Sequence, residues 1–152
     1  VPGSLGLWQD GQIPGMARLA AAIKKSGAAA VVQLNHAGAR CHPAGGEMQG
    51  ASPSGFMFKP DVAPISLSPE QIEQVSADFA AAGGRAAEVG FEGVEIHGAH
   101  FYLISEFLSP LTNQRNDRYG GDARARAVLG CRTLRHVNVD VMSFEHIIRN
   151  VQ

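Results

Sequence analysis

The sequence predicts an α/β fold in which short parallel strands alternate with helices, and three observations lead there. Two short apolar runs, residues 28–34 (AAAVVQL) and 93–96 (GVEI), have strand length and composition, the second alternating Val94 and Ile96 against Glu95. Each follows a stretch of helical spacing that a glycine ends, Gly27 in one case and Gly90 in the other. At the exit of the second run the chain delivers His97, His100 and Tyr102 within six positions. Enzymes built from parallel strands and helices keep their catalytic groups on the loops that follow the strands.

Taken in order, residues 1–15 are rich in Gly and Pro and read as a loop. Pro14 precedes a helix expected from Met16 to about Lys25, with Asp10 upstream as a cap. Leu19, Ala22 and Ile23 share one face, and Lys24 and Lys25 sit at the negative end. The run that follows reads as a parallel strand covered on both faces. Residues 41–67 are Gly/Pro/Ser-rich and aperiodic, and a loop of that length is uncommon in a compact domain unless it is functional. Ser68-Pro69-Glu70-Gln71 then opens a helix, with serine as cap, proline at the first position and glutamine completing a capping box. Ile72, Val75, Phe79, Ala82, Ala86 and Val89 keep helical spacing, interrupted by Gly83 and Gly84 at a cost of about 1 kcal/mol each. After the second strand, residues 102–108 are helix-compatible. A polar loop closed by Gly120 and Gly121 follows, in which Arg115, Asp117 and Tyr119 are expected to pair among themselves.

Composition narrows the function classes. The chain is 45% hydrophobic and 18% charged, with a formal net charge of -1, so neither nucleic acid nor an anionic membrane surface is expected as a partner. No apolar run approaches a membrane span and no signal peptide is recognised. Cys41 and Cys131 lie far apart with no CxxC, which points to a reduced, cytoplasmic setting.

Residues 93–121, GVEIHGAHFYLISEFLSPLTNQRNDRYGG, carry a far more specific signal. They closely resemble the strand-four signature of the old yellow enzyme family, the FMN-dependent NADH:flavin oxidoreductases and ene-reductases. The match runs through Gly93–Glu95–His97, Ala99–His100, Tyr102–Ile104, Phe107–Pro110, Asn113, Arg115, Asp117 and Tyr119–Gly121. One departure is Phe101, where the family usually has glycine; a bulky side chain there alters the turn or narrows the pocket. A second segment, QLNHAGAR, resembles the end of the family's third strand through Gln33, Leu34, His36 and Gly38, with Arg40 displaced one place by Ala39. Ala51, Ser52 and Pro53 resemble a further family element. Arg124 and Arg126 fit the start of the next helix, after which the pattern departs.

The resemblance implies a fragment of a TIM (β/α)8 barrel covering roughly strands three and four, since 152 residues fall short of the roughly 200–250 of a whole barrel. Residues 1–127 are read as a partial FMN-dependent oxidoreductase barrel and residues 128–152 as a divergent C-terminal tail. The implied cofactor is FMN, with NADH or NADPH as reductant and a small-molecule activated alkene, enone-like or nitro-substituted, as substrate. Gln33 is the cofactor-binding residue, an amide offering both donor and acceptor to the pyrimidine edge of the flavin. His97 and His100 are the substrate-binding pair, converging on the carbonyl or nitro oxygen where negative charge builds. Tyr102 is the catalytic acid for the α-carbon, because a phenol keeps its proton at neutral pH. No metal is expected.

The residues alone leave other readings open. A His-x-x-His pair can be two bonded histidines, Tyr102 a packing tyrosine, Gln33 a strand-end amide and Glu95 a structural carboxylate. A zinc hydrolase would recruit His36, His42, His97 and His100, yet no carboxylate or cysteine recurs at ligand spacing. A further alternative is a truncated, catalytically incompetent barrel fragment. With the other strands outside these residues its edges would be exposed, so it would form a homo-oligomer or need a complementing fragment.

Overall fold

The computed structural model describes residues 4–42, 46–53 and 63–137. In chain order these form α1 (Ile13–Lys25), β1 (Val31–Leu34), β2 (Gln49–Gly50), β3 (Ile65–Ser66), α2 (Pro69–Glu88), β4 (Gly93–Ile96), α3 (Leu103–Leu108), α4 (Ala123–Arg126) and α5 (Val128–Val137). Short 3-10 turns, Asp10–Gln12 and Gly38–Arg40, precede α1 and follow β1.

The capping box forms as its residues dictate. Ser68 Oγ accepts the Gln71 amide at 3.2 Å, and Gln71 Oε1 accepts the Ser68 amide at 2.8 Å. From that start α2 buries Ile72, Val75, Phe79, Ala82 and Ala86, the expected stripe, and Val89 just beyond its end is buried too. The helix is the crossover between β1 and β4, which pair in parallel with Val32 opposite Val94, Gln33 opposite Glu95 and Leu34 opposite Ile96. The covered face of this pair and α2 share one core with Phe91, Leu103, Ile104, Phe107 and Leu129. Burying a side chain such as Phe79 contributes about 2–3 kcal/mol.

Two expectations are corrected here. Helix α1 begins at Ile13 rather than Met16, with Pro14 inside its first turn, where its missing N–H costs nothing. Its buried stripe is Met16 and Ala20, whereas Leu19 is 37% exposed and Ala22 is exposed. Spacing of three to four from Met16 selects Ala20 and the half-buried Ile23, so the long Met16 side chain fixes the rotation of the helix. The first strand is also shorter than its apolar run, and among the described residues only one of its faces is covered. Val31 is 50% exposed and Gln33 is exposed, while Leu34 is buried.

The stretch from Val128 begins as α5, which packs along α2. Gly83 makes that approach possible: a Cβ there would lie 2.8 Å from Val137 Cγ1. Ser76 Oγ and His136 Nδ1 are 3.1 Å apart across the same seam, and Glu73 pairs with Arg118 and, at 3.3 Å, Arg132. The loop after α3 pairs as expected and does more. Arg115 meets Asp117 at 2.5 Å and also donates to Ala51 O at 2.9 Å and Leu67 O at 2.7 Å, tying the flanks of β2 and β3 together. Buried Asn113 donates to Phe107 O and Tyr119 O, both at 2.7 Å. Within the expected long loop, β2 and β3 form a two-residue parallel bridge. The rest of that loop at residues 43–45 and 54–62, and the tail at 138–152, lie outside the described residues.

Candidate active site

Alternation along β4 sends Val94 and Ile96 into the core and leaves Glu95 exposed, and the same alternation puts His97 on the Glu95 side. The His97 amide still bonds Leu34 O at 2.9 Å, so this residue extends the ladder by one step. The backbone then turns sharply. His100 and Phe101 adopt φ of 57° and 55°, two successive side-chain-bearing residues in the left-handed region. That conformation costs about 1–2 kcal/mol per residue and is what a glycine at position 101 would relieve. Tyr102 caps α3, and the Leu103 amide donates to His36 O at 3.1 Å, fastening this turn to the exit of β1.

The turn gathers the three strand-exit groups. His97 and His100 rings lie 5.1 Å apart, as do those of His97 and Tyr102. His100 Nδ1 and His97 Nε2 are 3.2 Å apart, so the histidines bond each other. One nitrogen of each ring is thereby used, and His97 Nδ1 and His100 Nε2 take no part in that bond. Burial, then the neighbouring His100, lowers the pKa of His97, with Glu95 opposing.

Gln33 sits on the neighbouring strand, exposed, opposite Glu95 rather than opposite the histidines. It borders a cavity of about 660 Å³ shared with Trp8, Met16, Val31 and Phe79. An uncharged amide on the open face, one strand from the donor cluster, fits the edge of a flat heteroaromatic ring that needs both donor and acceptor. His36 packs below, its Nδ1 accepting the Gly38 amide at 3.1 Å; burial lowers its pKa, with Asp78 opposing. Among the described residues no three His, Cys, Asp or Glu side chains are grouped to hold a metal ion, so the four histidines do not form the ligand set of the hydrolase reading.

Two neighbours carry more than the sequence revealed. Arg40, shifted by Ala39, places its guanidinium 5.3 Å from the Tyr102 ring centroid and donates to His100 O at 2.8 Å. Glu106 is only 2% exposed and accepts the Ala39 amide at 2.8 Å. Its available signal was a carboxylate on the buried side of LISEFL, next to Phe107 and three residues after Leu103.

Two parallel strands joined by a crossover helix, with polar side chains gathered where the second strand ends, have the architecture of a piece of an α/β barrel. The chain belongs to the NADH:flavin oxidoreductase / NADH oxidase family, whose model matches residues 1–149. It is 47% identical over 122 residues to an NADPH dehydrogenase of Listeria monocytogenes, a match covering 80% of this chain and 36% of that protein. It is 42% identical over 128 residues to an NADH:acrylate oxidoreductase of Vibrio harveyi, covering 82% of this chain and 13% of that one. Among solved structures, morphinone reductase in complex with tetrahydroNAD superposes with a TM-score of 0.79 at 29% identity, over 87% of this chain and 41% of the other. The chain thus spans about a third of the length of the NADPH dehydrogenase. No helix among the described residues is long and apolar enough to cross a membrane.

Proposed function

We propose that these residues supply the strand-three and strand-four share of an FMN-dependent NAD(P)H oxidoreductase site of old yellow enzyme type, acting on activated C=C bonds of enone-like or nitro-alkene substrates. The observation that carries the reading is the cluster of His97, His100 and Tyr102 at one strand exit. FMN, when bound, supplies the hydride that it takes from the nicotinamide and gives to the β-carbon of the alkene. Gln33 holds the pyrimidine edge of the ring from the next strand. The histidine pair receives the substrate carbonyl or nitro oxygen through its outward nitrogens. Because the mutual bond uses one nitrogen of each ring, a pair carrying one extra proton presents two outward donors, and a neutral pair only one. Donors fixed before the charge develops favour the transition state over the ground state. Tyr102 delivers the proton to the α-carbon.

The test is anaerobic reduction of an enone by NADH or NADPH with FMN-loaded protein. Tyr102→Phe should slow alkene turnover about 10²–10⁴-fold. His97→Ala with His100→Ala should slow it about 10²–10³-fold. Unchanged rates in both variants would remove these roles.

A second reading is favoured by one observation. Among the described residues β1 and β4 pair only with each other, leaving an unpaired edge on each. On that reading a site is completed only by another copy or a complementing fragment. Sedimentation in the presence of FMN separates the two: flavin travelling with a monomer supports the first, flavin confined to an assembly the second.

A further inference from the structure

We propose that Glu106 is a positioning residue of this site: its buried carboxylate pins the Gly38–Arg40 turn and the Gly50–Ala51 edge to α3, and through that turn it sets Arg40 over Tyr102. The inference rests on the roles given above to Tyr102 and the histidine pair.

The geometry is that of a built receptacle. Glu106 Oε1 accepts the Ala39 amide at 2.8 Å, and the backbone at Ala51 comes close enough to the same carboxylate to favour its charged form. Gly38, at φ 59°, runs so close to Oε1 that a Cβ there would clash with it, and a Cβ on Gly50 would lie 3.1 Å from Oε2. One carboxylate therefore joins α3 to two segments more than 50 residues earlier in the chain. Arg40 is the next residue after Ala39, and its guanidinium reaches both the Tyr102 ring and His100 O. Tyr102 is in turn the cap of the helix that carries Glu106, and Glu106 N donates to Tyr102 O at 2.9 Å. The loop closes on itself: Glu106 to Ala39, Arg40 to Tyr102, Tyr102 back to Glu106.

The other charged or titratable groups around it are engaged elsewhere. His36 accepts the Gly38 amide, Arg115 holds Asp117, Ala51 O and Leu67 O, and Arg126 donates to Leu108 O at 2.9 Å. Burial raises the Glu106 pKa to about 7, against the backbone amides of Ala39 and Ala51 that favour the charged form. A carboxylate accepts the Ala39 amide fully, whereas its protonated form has less acceptor capacity. The hold on Arg40 therefore tightens as Glu106 ionises.

The test is an NMR pH titration of the full chain with labelled glutamate, arginine and tyrosine. The Glu106 carboxyl should titrate near 7 instead of the ordinary 4.5, and Arg40 side-chain and Tyr102 ring signals should step at the same midpoint. Glu106→Gln should abolish the shared step. Glu106→Asp, which keeps the charge but withdraws it by one methylene, should displace the Arg40 and Tyr102 signals while leaving a titrating carboxyl. It serves equally if the glutamine variant fails to fold. Arg40 and Tyr102 signals without a step at the Glu106 midpoint, or with the native step intact in the variants, overturn the proposal. None of these readouts needs flavin, so failure to hold FMN would sink the functional reading while a missing shared step would sink this one, and the two failures are distinguishable.

Discussion

Among the described residues the β1–β4 pair has one face that helices cover and one that they leave open, and the two obey different rules. On the covered face Leu34, Val94 and Ile96 meet the stripe of α2, and every buried position is apolar. On the open face stand Gln33 and Glu95, with His97 following in the same alternation. The first face holds the fold, because apolar area removed from water is what stabilises it. The second contributes little to stability and carries the groups that can donate protons. Parallel strands with period two let four residues serve both ends at once.

The largest expected effect tests the covered face. Phe79→Ala should destabilise the chain by roughly 3–5 kcal/mol in urea unfolding. Gln33→Ala should change stability by no more than about 0.5 kcal/mol. Comparable losses from both would break the distinction.

An intermediate effect comes from Glu106, the buried carboxyl beside the turn that follows β1. Its folded pKa, about 7, lies above the ordinary 4.5, so the folded state binds its proton more tightly than the unfolded state. The resulting stabilisation is fully present below pH 4.5 and is lost as pH rises through 7. The shift corresponds to about 3 kcal/mol, which unfolding at pH 4.5 and pH 8 should register. In Glu106→Gln this component of the slope should vanish; its persistence would assign it to another group.

The smallest effect sharpens the open side. Phe101→Gly should raise stability by roughly 0.5–1 kcal/mol, the relief of a left-handed side chain less the greater freedom of glycine in the unfolded chain. A loss of stability would mean that the Phe101 side chain earns its conformation by packing.

Much of this was legible in the sequence where local physics decides. The capping box at Ser68, the α2 stripe, the Val94/Ile96 alternation and the end of α3 all follow from spacing within one element. The strand-exit cluster was legible for the same reason, its members lying within six positions. What escaped depends on partners far along the chain. Met16, not Leu19, sets the rotation of α1, because Met16 and Ala20 are its side chains that join the core shared with α2 and the strands. Gly83 reads as a flaw in a helix until Val137 arrives beside it. Glu106 and Arg40 acquire their roles only when the turn after β1 meets α3, and no periodicity encodes that meeting.

The central claim is that the open face receives a flavin, and a visible spectrum tests it most directly. The purified chain is mixed with FMN, desalted and scanned, with Gln33→Ala alongside. Retained flavin with shifted bands, weakened in Gln33→Ala, is the predicted result. A colourless protein, with all FMN in the small-molecule fraction, would contradict the claim that this chain by itself receives it.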